Sequence, residues 1–250
     1  MQLHTLRGYI QNIFLAEYPH GLLLLDGACR ADFTLIEDFI VNTLNRPLSD
    51  LKALAVTHMH PDHAGCAHYL RKRSGCKIVC GLFKQQWYSG VSGRLSHLVD
   101  IYLALWVAKR LGRTRRNIWY QAHLRPDIML NDGEAIPGFE DWRLIKTPGH
   151  TAMDVSLLNE KRNLLYVADL VVKVKGKLSP PFPVNLPEQY ASSLQKLKRY
   201  THCDVLMAHV PQQKITRDEV DNLLALAPEK AQNNRQVLTD LARRLARFRP

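Results

Sequence analysis

The 250 residues, 46% hydrophobic and 23% charged, suit one large globular domain with a sizeable core. A formal net charge of +11, from 34 Lys and Arg against 23 Asp and Glu, favours anionic partners without naming one. Five scattered cysteines argue against a disulfide framework and for reduced thiols in a cytoplasm; no run approaches the ~20 apolar residues of a membrane span, and the N-terminus has no secretory leader pattern.

Residues 3–28 read as two or three strands. Asn12–Tyr18 is followed by a Pro19-His20-Gly21 turn, then by Leu22–Leu25, which ends at Asp26-Gly27. Asp26 is placed either to support a metal ligand or to bond the backbone of the Gly27 turn. Ala31–Asn45 has helical periodicity, with Phe33, Ile36, Phe39, Ile40 and Leu44 on one stripe. Leu51–Val56 is an apolar run broken only by Lys52, expected as a buried strand.

That strand feeds Thr57-His58-Met59-His60-Pro61-Asp62-His63-Ala64-Gly65, which holds three histidines and one aspartate within six residues. Neutral imidazole and carboxylate are the donors that Zn2+ and similar ions prefer. His58 and His60 are two apart and share a face of extended chain, while Asp62 and His63 turn toward a second position. A histidine-rich surface turn is the weaker account, because a buried strand end rarely carries four polar groups without a partner. His63–Ser74 reads as a helix and Lys77–Cys80 as the next strand, with Cys76 and Cys80 as buried thiols. His68, five residues beyond His63, faces elsewhere and reads as a surface or packing histidine.

Residues 82–124 read as a helical insertion or lid. Leu95–Leu111 is predicted helical, and 98–108 is apolar at every position but Asp100. Five basic residues in eight follow, from Lys109 to Arg116. Four readings fit: a lid over a hydrophobic substrate, an interfacial membrane contact, a homodimer interface, or a packed helix with a solvated basic end. His97 and His123 carry no ligand spacing.

Asp127–Trp142 reads as short strands and turns. Trp142–Lys146 is a strand that ends at Thr147-Pro148-Gly149-His150-Thr151. Val155–Leu158 and Leu164–Val167 form a hairpin that ends at Ala168-Asp169, and Val205–Ala208 a strand that ends at His209-Val210-Pro211. Lys173, Lys175 and Lys177 alternate along one extended segment, read as a solvated face rather than a substrate anchor. Pro187–Tyr200 and 217–249 read as helices.

His150, Asp169 and His209 therefore stand where buried strands stop, as the first cluster does. With His58, His60, Asp62 and His63 they suit two divalent metal ions. One takes His58, His60 and His150, the other Asp62, His63 and His209, and Asp169 bridges them. Zinc is the expected ion, with iron or manganese possible on the same ligands. A water held between two dications loses a proton near neutral pH and becomes a nucleophile.

On the motifs THMHPDHAG (57–65), TPGHT (147–151), ADL (168–170) and AHVP (208–211), the chain resembles the metallo-β-lactamase superfamily in its glyoxalase-II-like branch. The resemblance covers roughly residues 9–211. It implies an α/β fold, a four-layer αβ/βα sandwich of two mixed sheets flanked by helices, with the metals at one edge of the β-core. It implies the same ligand roles. Residues 1–216 are expected to form this domain and 217–250 a helical appendage.

Departures from the family patterns narrow the substrate. The best-known β-lactamase subclasses carry a cysteine, or no bridging carboxylate, where this chain has Asp169. Lactone-cleaving relatives carry a tyrosine just after the bridging aspartate; here Leu170 follows, so Tyr190, Tyr88 or Tyr9 would have to serve. The binding residues of glyoxalase II cannot be matched in 217–250. Transfer-RNA-processing relatives end in His-Ser-Thr, whereas this chain has His209-Val210-Pro211. The expectation is a cytoplasmic hydrolase of a small ester, thioester or lactone, with an amphipathic or anionic substrate and no nucleic acid. Asp62 or Asp169 handles the proton. The alternatives are a phosphodiesterase, a mono-iron persulfide dioxygenase, and a non-catalytic binding protein using residues 95–116.

Overall fold

The computed structural model describes residues 1–232. Two six-stranded sheets face each other. The first is ordered β1 (Gln2–Arg7), β2 (Asn12–Tyr18), β3 (Gly21–Leu24), β4 (Leu51–Val56), β5 (Lys77–Gly81) and β6 (Ile128–Leu130). Its β1–β3 half is antiparallel and its β3–β6 half parallel. The second runs from β7 (Ala135–Ile136) through β8 (Phe139–Lys146), β9 (Val155–Asn159), β10 (Leu164–Tyr166) and β13 (Asp204–Leu206) to β14 (Gln213–Lys214). It is antiparallel except where β10 and β13 pair in parallel. β11 (Val172–Val174) and β12 (Lys177–Ser179) form a separate hairpin.

Alternation along the strands explains the layering. Leu23, Leu25, Ala53, Ala55 and Val79 point between the sheets and meet Trp142, Leu144, Val155, Leu157 and Tyr166. Their neighbours Leu22, Leu24, Leu54, Val56 and Ile78 point outward, onto α1 (Phe33–Asp38) and α3 (Ala67–Ser74). Strands buried on both faces need continuous apolar runs, which β3 has and β4 has from Ala53 to Val56, after the exposed Lys52. Outside the second sheet, α5 (Pro187–Leu197) and α6 (Arg217–Leu226) cover Leu158, Leu165 and Val205 with Tyr190, Leu194, Val220 and Leu223. The result is the expected αβ/βα sandwich.

β4 spans the expected residues. The first helical segment is less uniform than its periodicity suggests: a 3-10 turn over Arg30–Asp32, then α1, then a π-helical turn over Phe39–Thr43. The helix expected at 63–74 is split into α2 (Pro61–Ala64) and α3. α4 (Gly90–Arg110) starts five residues earlier than expected and is not simply packed inside. It buries Gly93, His97, Asp100, Ala104 and Ala108 and exposes apolar side chains on its other face.

Two further expectations are corrected. The three lysines do not share one extended face, because Lys175 and Gly176 adopt positive φ and turn the chain into the β11–β12 hairpin. The helix expected over 217–249 stops at Leu226, since Ala227, preceding Pro228, is forced into an extended conformation. Residues 233–250 of the expected appendage, with its arginines at 243, 244, 247 and 249, lie outside the described residues. All five cysteines are free and buried. No helix among the described residues is long and apolar enough to cross a membrane.

Candidate metal centre

The chain leaves β4, β8, β10 and β13 at the same edge of the sandwich, and each exit delivers polar side chains. His58 and His60 follow β4, and Pro61 opens α2, which carries Asp62 and His63. His150 follows β8, Asp169 follows β10 and His209 follows β13. All seven side chains singled out in the sequence come together in two groups of donor atoms. One is His58, His60, His150 and Asp169, and the other is Asp62, His63 and His209.

In the first group, His60 Nδ1 lies 3.1 Å from His58 Nε2 and 3.0 Å from His150 Nε2. In the second, Asp62 Oδ2 lies 3.5 Å from His63 Nε2 and 3.3 Å from His209 Nε2. Asp169 stands between the groups. Its Oδ1 is 3.4 Å from His63 Nε2 and 3.3 Å from His209 Nε2, while its Oδ2 is 3.8 Å from His150 Nε2 and 4.0 Å from His58 Nε2.

The outer ring nitrogens explain this arrangement. His150 Nδ1–H donates to the Pro183 carbonyl at 2.6 Å, His209 Nδ1–H to the Ile10 carbonyl at 3.1 Å, and His63 Nδ1–H to Asp26 Oδ2 at 2.7 Å. Each bond fixes the ring and aims Nε2 into the cluster, where in the neutral ring it offers a lone pair, the usual support of a metal-binding histidine. His63 Nε2 and Asp169 Oδ1 are buried without a hydrogen-bond partner. Two inward-facing polar atoms stranded in this way fit a cation between them, once the ring gives up its Nε2 proton. The residues present therefore fit the divalent metals expected from the sequence.

Asp26 fills both roles foreseen for it. Oδ1 accepts the Gly27 and Thr57 amides, and Oδ2 accepts the Thr57 and Tyr166 hydroxyls as well as His63. Asp100, by contrast, stands out in the sequence only as the one polar residue of the apolar 98–108 stretch, with no ligand spacing. From the buried face of α4, its Oδ2 accepts the Tyr88 hydroxyl at 2.7 Å and lies 3.7 Å from His60 Nε2. The nearby Tyr120 hydroxyl donates to the Met59 carbonyl. The tyrosines considered for a lactonase role are engaged elsewhere: Tyr190 donates to the Leu170 carbonyl, Tyr9 to the Thr114 carbonyl, and Tyr88 to Asp100. His68 accepts the Arg125 amide, and His97 packs against Tyr88 and Tyr120.

Without metal, charge is polarised across the cluster. Burial and the neighbouring imidazoles hold the His58 pKa well below the usual histidine value, and burial lowers His60 to about 4. Burial also opposes charge on His63 and His209. Asp62 and Asp169 outweigh it, so that His63 is raised well above the ordinary value and His209 to about 10. Burial opposes the charges on Asp62 and Asp169 too, yet the same two histidines hold both carboxyls well below the usual range. His209 is the most open of the seven, with 29% of its side chain exposed. It borders a cavity of about 430 Å³ lined by Ile10, Leu111 and Val210 together with Arg7 and Arg113.

Comparison with known proteins agrees with this geometry. The family model described as the metallo-beta-lactamase superfamily matches residues 6–210. The chain is 25% identical over 179 residues to the probable metallo-hydrolase YflN of Bacillus subtilis (strain 168), across 69% of this chain but only 65% of that protein. The chain thus spans just under two thirds of that relative's length. Among solved structures it resembles the metallo-beta-lactamase family protein TTHA1429 from Thermus thermophilus, with a TM-score of 0.66 and 20% identity over 89% of this chain and 78% of that one. It also resembles TTHA1623 in a di-iron-bound form, with a TM-score of 0.57 and 18% identity over 91% of this chain and 99% of that one. Fold, donor cluster and a profile match over most of the chain agree: the chain belongs to the metallo-beta-lactamase superfamily.

Proposed function

We propose that the chain is a dinuclear metal hydrolase of small esters, thioesters or lactones, of the glyoxalase-II-like kind. His58, His60 and His150 hold one divalent ion, Asp62, His63 and His209 hold the other, and Asp169 is shared. The position of Asp169 carries this reading, since its two oxygens face different histidine groups. The di-iron form of TTHA1623 supports a two-metal site in this fold, while zinc remains the ion expected first from the donor chemistry.

When bound, such a pair supplies an acidified water as nucleophile and a Lewis acid for the carbonyl oxygen. The protein contributes placement. Bonds to Asp26, Pro183 and Ile10 keep three imidazoles oriented, so little reorganisation accompanies reaction. Asp62 and Asp169 are the carboxylates positioned to receive a proton and pass it toward the leaving group. The cavity beside His209 offers apolar walls for an acyl portion, with Arg7 and Arg113 at hand for an anionic group. That combination favours an amphipathic, anionic small molecule.

Elemental analysis of the purified protein beside Asp169→Ala tests the proposal. About two metals per chain, falling in the variant, are expected, with turnover in a panel of esters, thioesters and lactones that exceeds turnover of phosphodiesters. A single iron with oxygen uptake in place of hydrolysis would sink it, as would a protein that takes up no metal on reconstitution.

A further inference from the structure

α4 has two apolar faces, and the fold uses only one. Gly93, His97, Asp100, Ala104 and Ala108 are buried against the body. On the opposite side Val91, Leu95, Leu98, Tyr102 and Trp106 are exposed. Their spacing of i, i+4, i+7, i+11 and i+15 makes a single stripe, roughly 22 Å long at the rise of an α-helix. With Leu111 and Trp119, residues 91–119 hold seven of the fourteen exposed large hydrophobic side chains among the described residues, so the apolar surface is concentrated here.

The charges around the stripe have one sign. Arg94, Lys109, Arg110, Arg113, Arg115 and Arg116 are all exposed, whereas the one acidic residue between 90 and 119, Asp100, is buried. The Arg110 guanidinium lies over the Trp106 ring, 4.7 Å from its centroid, joining the cationic end to the stripe.

We infer that the outer face of α4, with the basic segment that follows it, is a docking surface for an anionic lipid bilayer. A protruding helix face does not enclose a small ligand, which needs a concave site. It does lie flat on a membrane, where apolar side chains enter the acyl boundary and arginines and lysines meet lipid phosphates. A second copy of this chain has no acidic surface to offer here, since this face carries six exposed cations and no exposed acidic residue, whereas lipid phosphates match it. The inner face of the helix carries Asp100, 3.7 Å from His60 Nε2, so docking would bring the metal centre to the bilayer surface. The inference does not depend on the hydrolase reading.

Co-sedimentation of the full chain with vesicles of phosphatidylcholine alone, and of phosphatidylcholine with phosphatidylglycerol, tests it. Preferential binding to the anionic vesicles is expected, weakened by salt and accompanied by a blue shift of tryptophan emission. The triple variant Leu98→Ser, Tyr102→Ser, Trp106→Ser keeps the net charge and should lose about tenfold or more in partitioning. Replacing Lys109, Arg110 and Arg115 by glutamine, which leaves Arg113 on the Gly8 carbonyl and Arg116 over the Tyr9 ring, should sharply reduce the preference for anionic lipid. Each variant is compared at unchanged thermal midpoint and metal content, and the second stands if the first does not fold. Equal binding to both vesicle types, or a well-folded triple variant that binds like the wild type, would overturn the inference. So would a wild-type dimer that the triple variant converts to monomer.

Discussion

Asp26 has more depending on it than any other carboxylate near the cluster. It accepts two backbone amides, the Thr57 and Tyr166 hydroxyls and the His63 ring N–H. Asp26→Ala strands at least three buried donors, so a loss on the order of 3–5 kcal/mol is expected in unfolding of the metal-free protein. It also frees the His63 ring to turn, and metal affinity should fall roughly 10–100-fold. Chelator competition beside thermal unfolding separates the two effects; unchanged affinity in a folded variant would show that His63 needs no orienting partner. Asp26 is legible in the sequence because it closes an apolar strand at a turn. Asp100 is not: it sits inside a helix, and what it faces depends on how α4 lies across the edge of the sheet, which local pattern does not encode.

At the scale of elements, the site rests on the close approach of the β3 end to α2. The Gly27 amide donates to the His63 carbonyl at 2.8 Å, and a Cβ on Gly27 would stand 2.5 Å from that same oxygen. Gly27→Ala is therefore expected to push α2 away, carrying Asp62 and His63 with it. A stability loss of about 1–3 kcal/mol and reduced metal content are anticipated, measurable by denaturant titration and elemental analysis. Full metal occupancy in a destabilised variant would separate packing from ligand placement. Elements with one dominant cause are readable in advance. β4 is apolar but for the exposed Lys52 near its start because both its faces are buried from Ala53 on, and its bounds follow from that run. The start of α4 is not readable in this way, because Gly90 and Gly93 disfavour helix. Gly93 is there for tertiary reasons, since a Cβ would run into the Tyr88 backbone.

Across the whole molecule, four motifs far apart in sequence meet because the strands that carry them end at one edge. This is why the candidate ligands can be read without structure, while the choice among the four readings of 95–116 and the cavity beside His209 cannot. The assembled cluster also ties metal loading to protons. In the metal-free protein His63 and His209 hold protons at neutral pH against Asp62 and Asp169. Their raised pKa values add stability that is fully present below the ordinary histidine value near 6.5 and is lost for His209 as pH rises through about 10. The lowered carboxyls act oppositely, adding stability above about 3.8 that is lost as pH falls. The metal-free ion pairs are thus intact at neutral pH, and a cation entering the second group must displace protons from both histidines. Loading that group at pH 7 should therefore release up to about two protons per chain, and metal affinity should rise with pH through the neutral range. Calorimetry of metal uptake in buffers of different ionisation enthalpy counts those protons. A heat independent of buffer would mean that the metal does not take the place of the protons on His63 and His209, and that these two imidazoles are not its ligands.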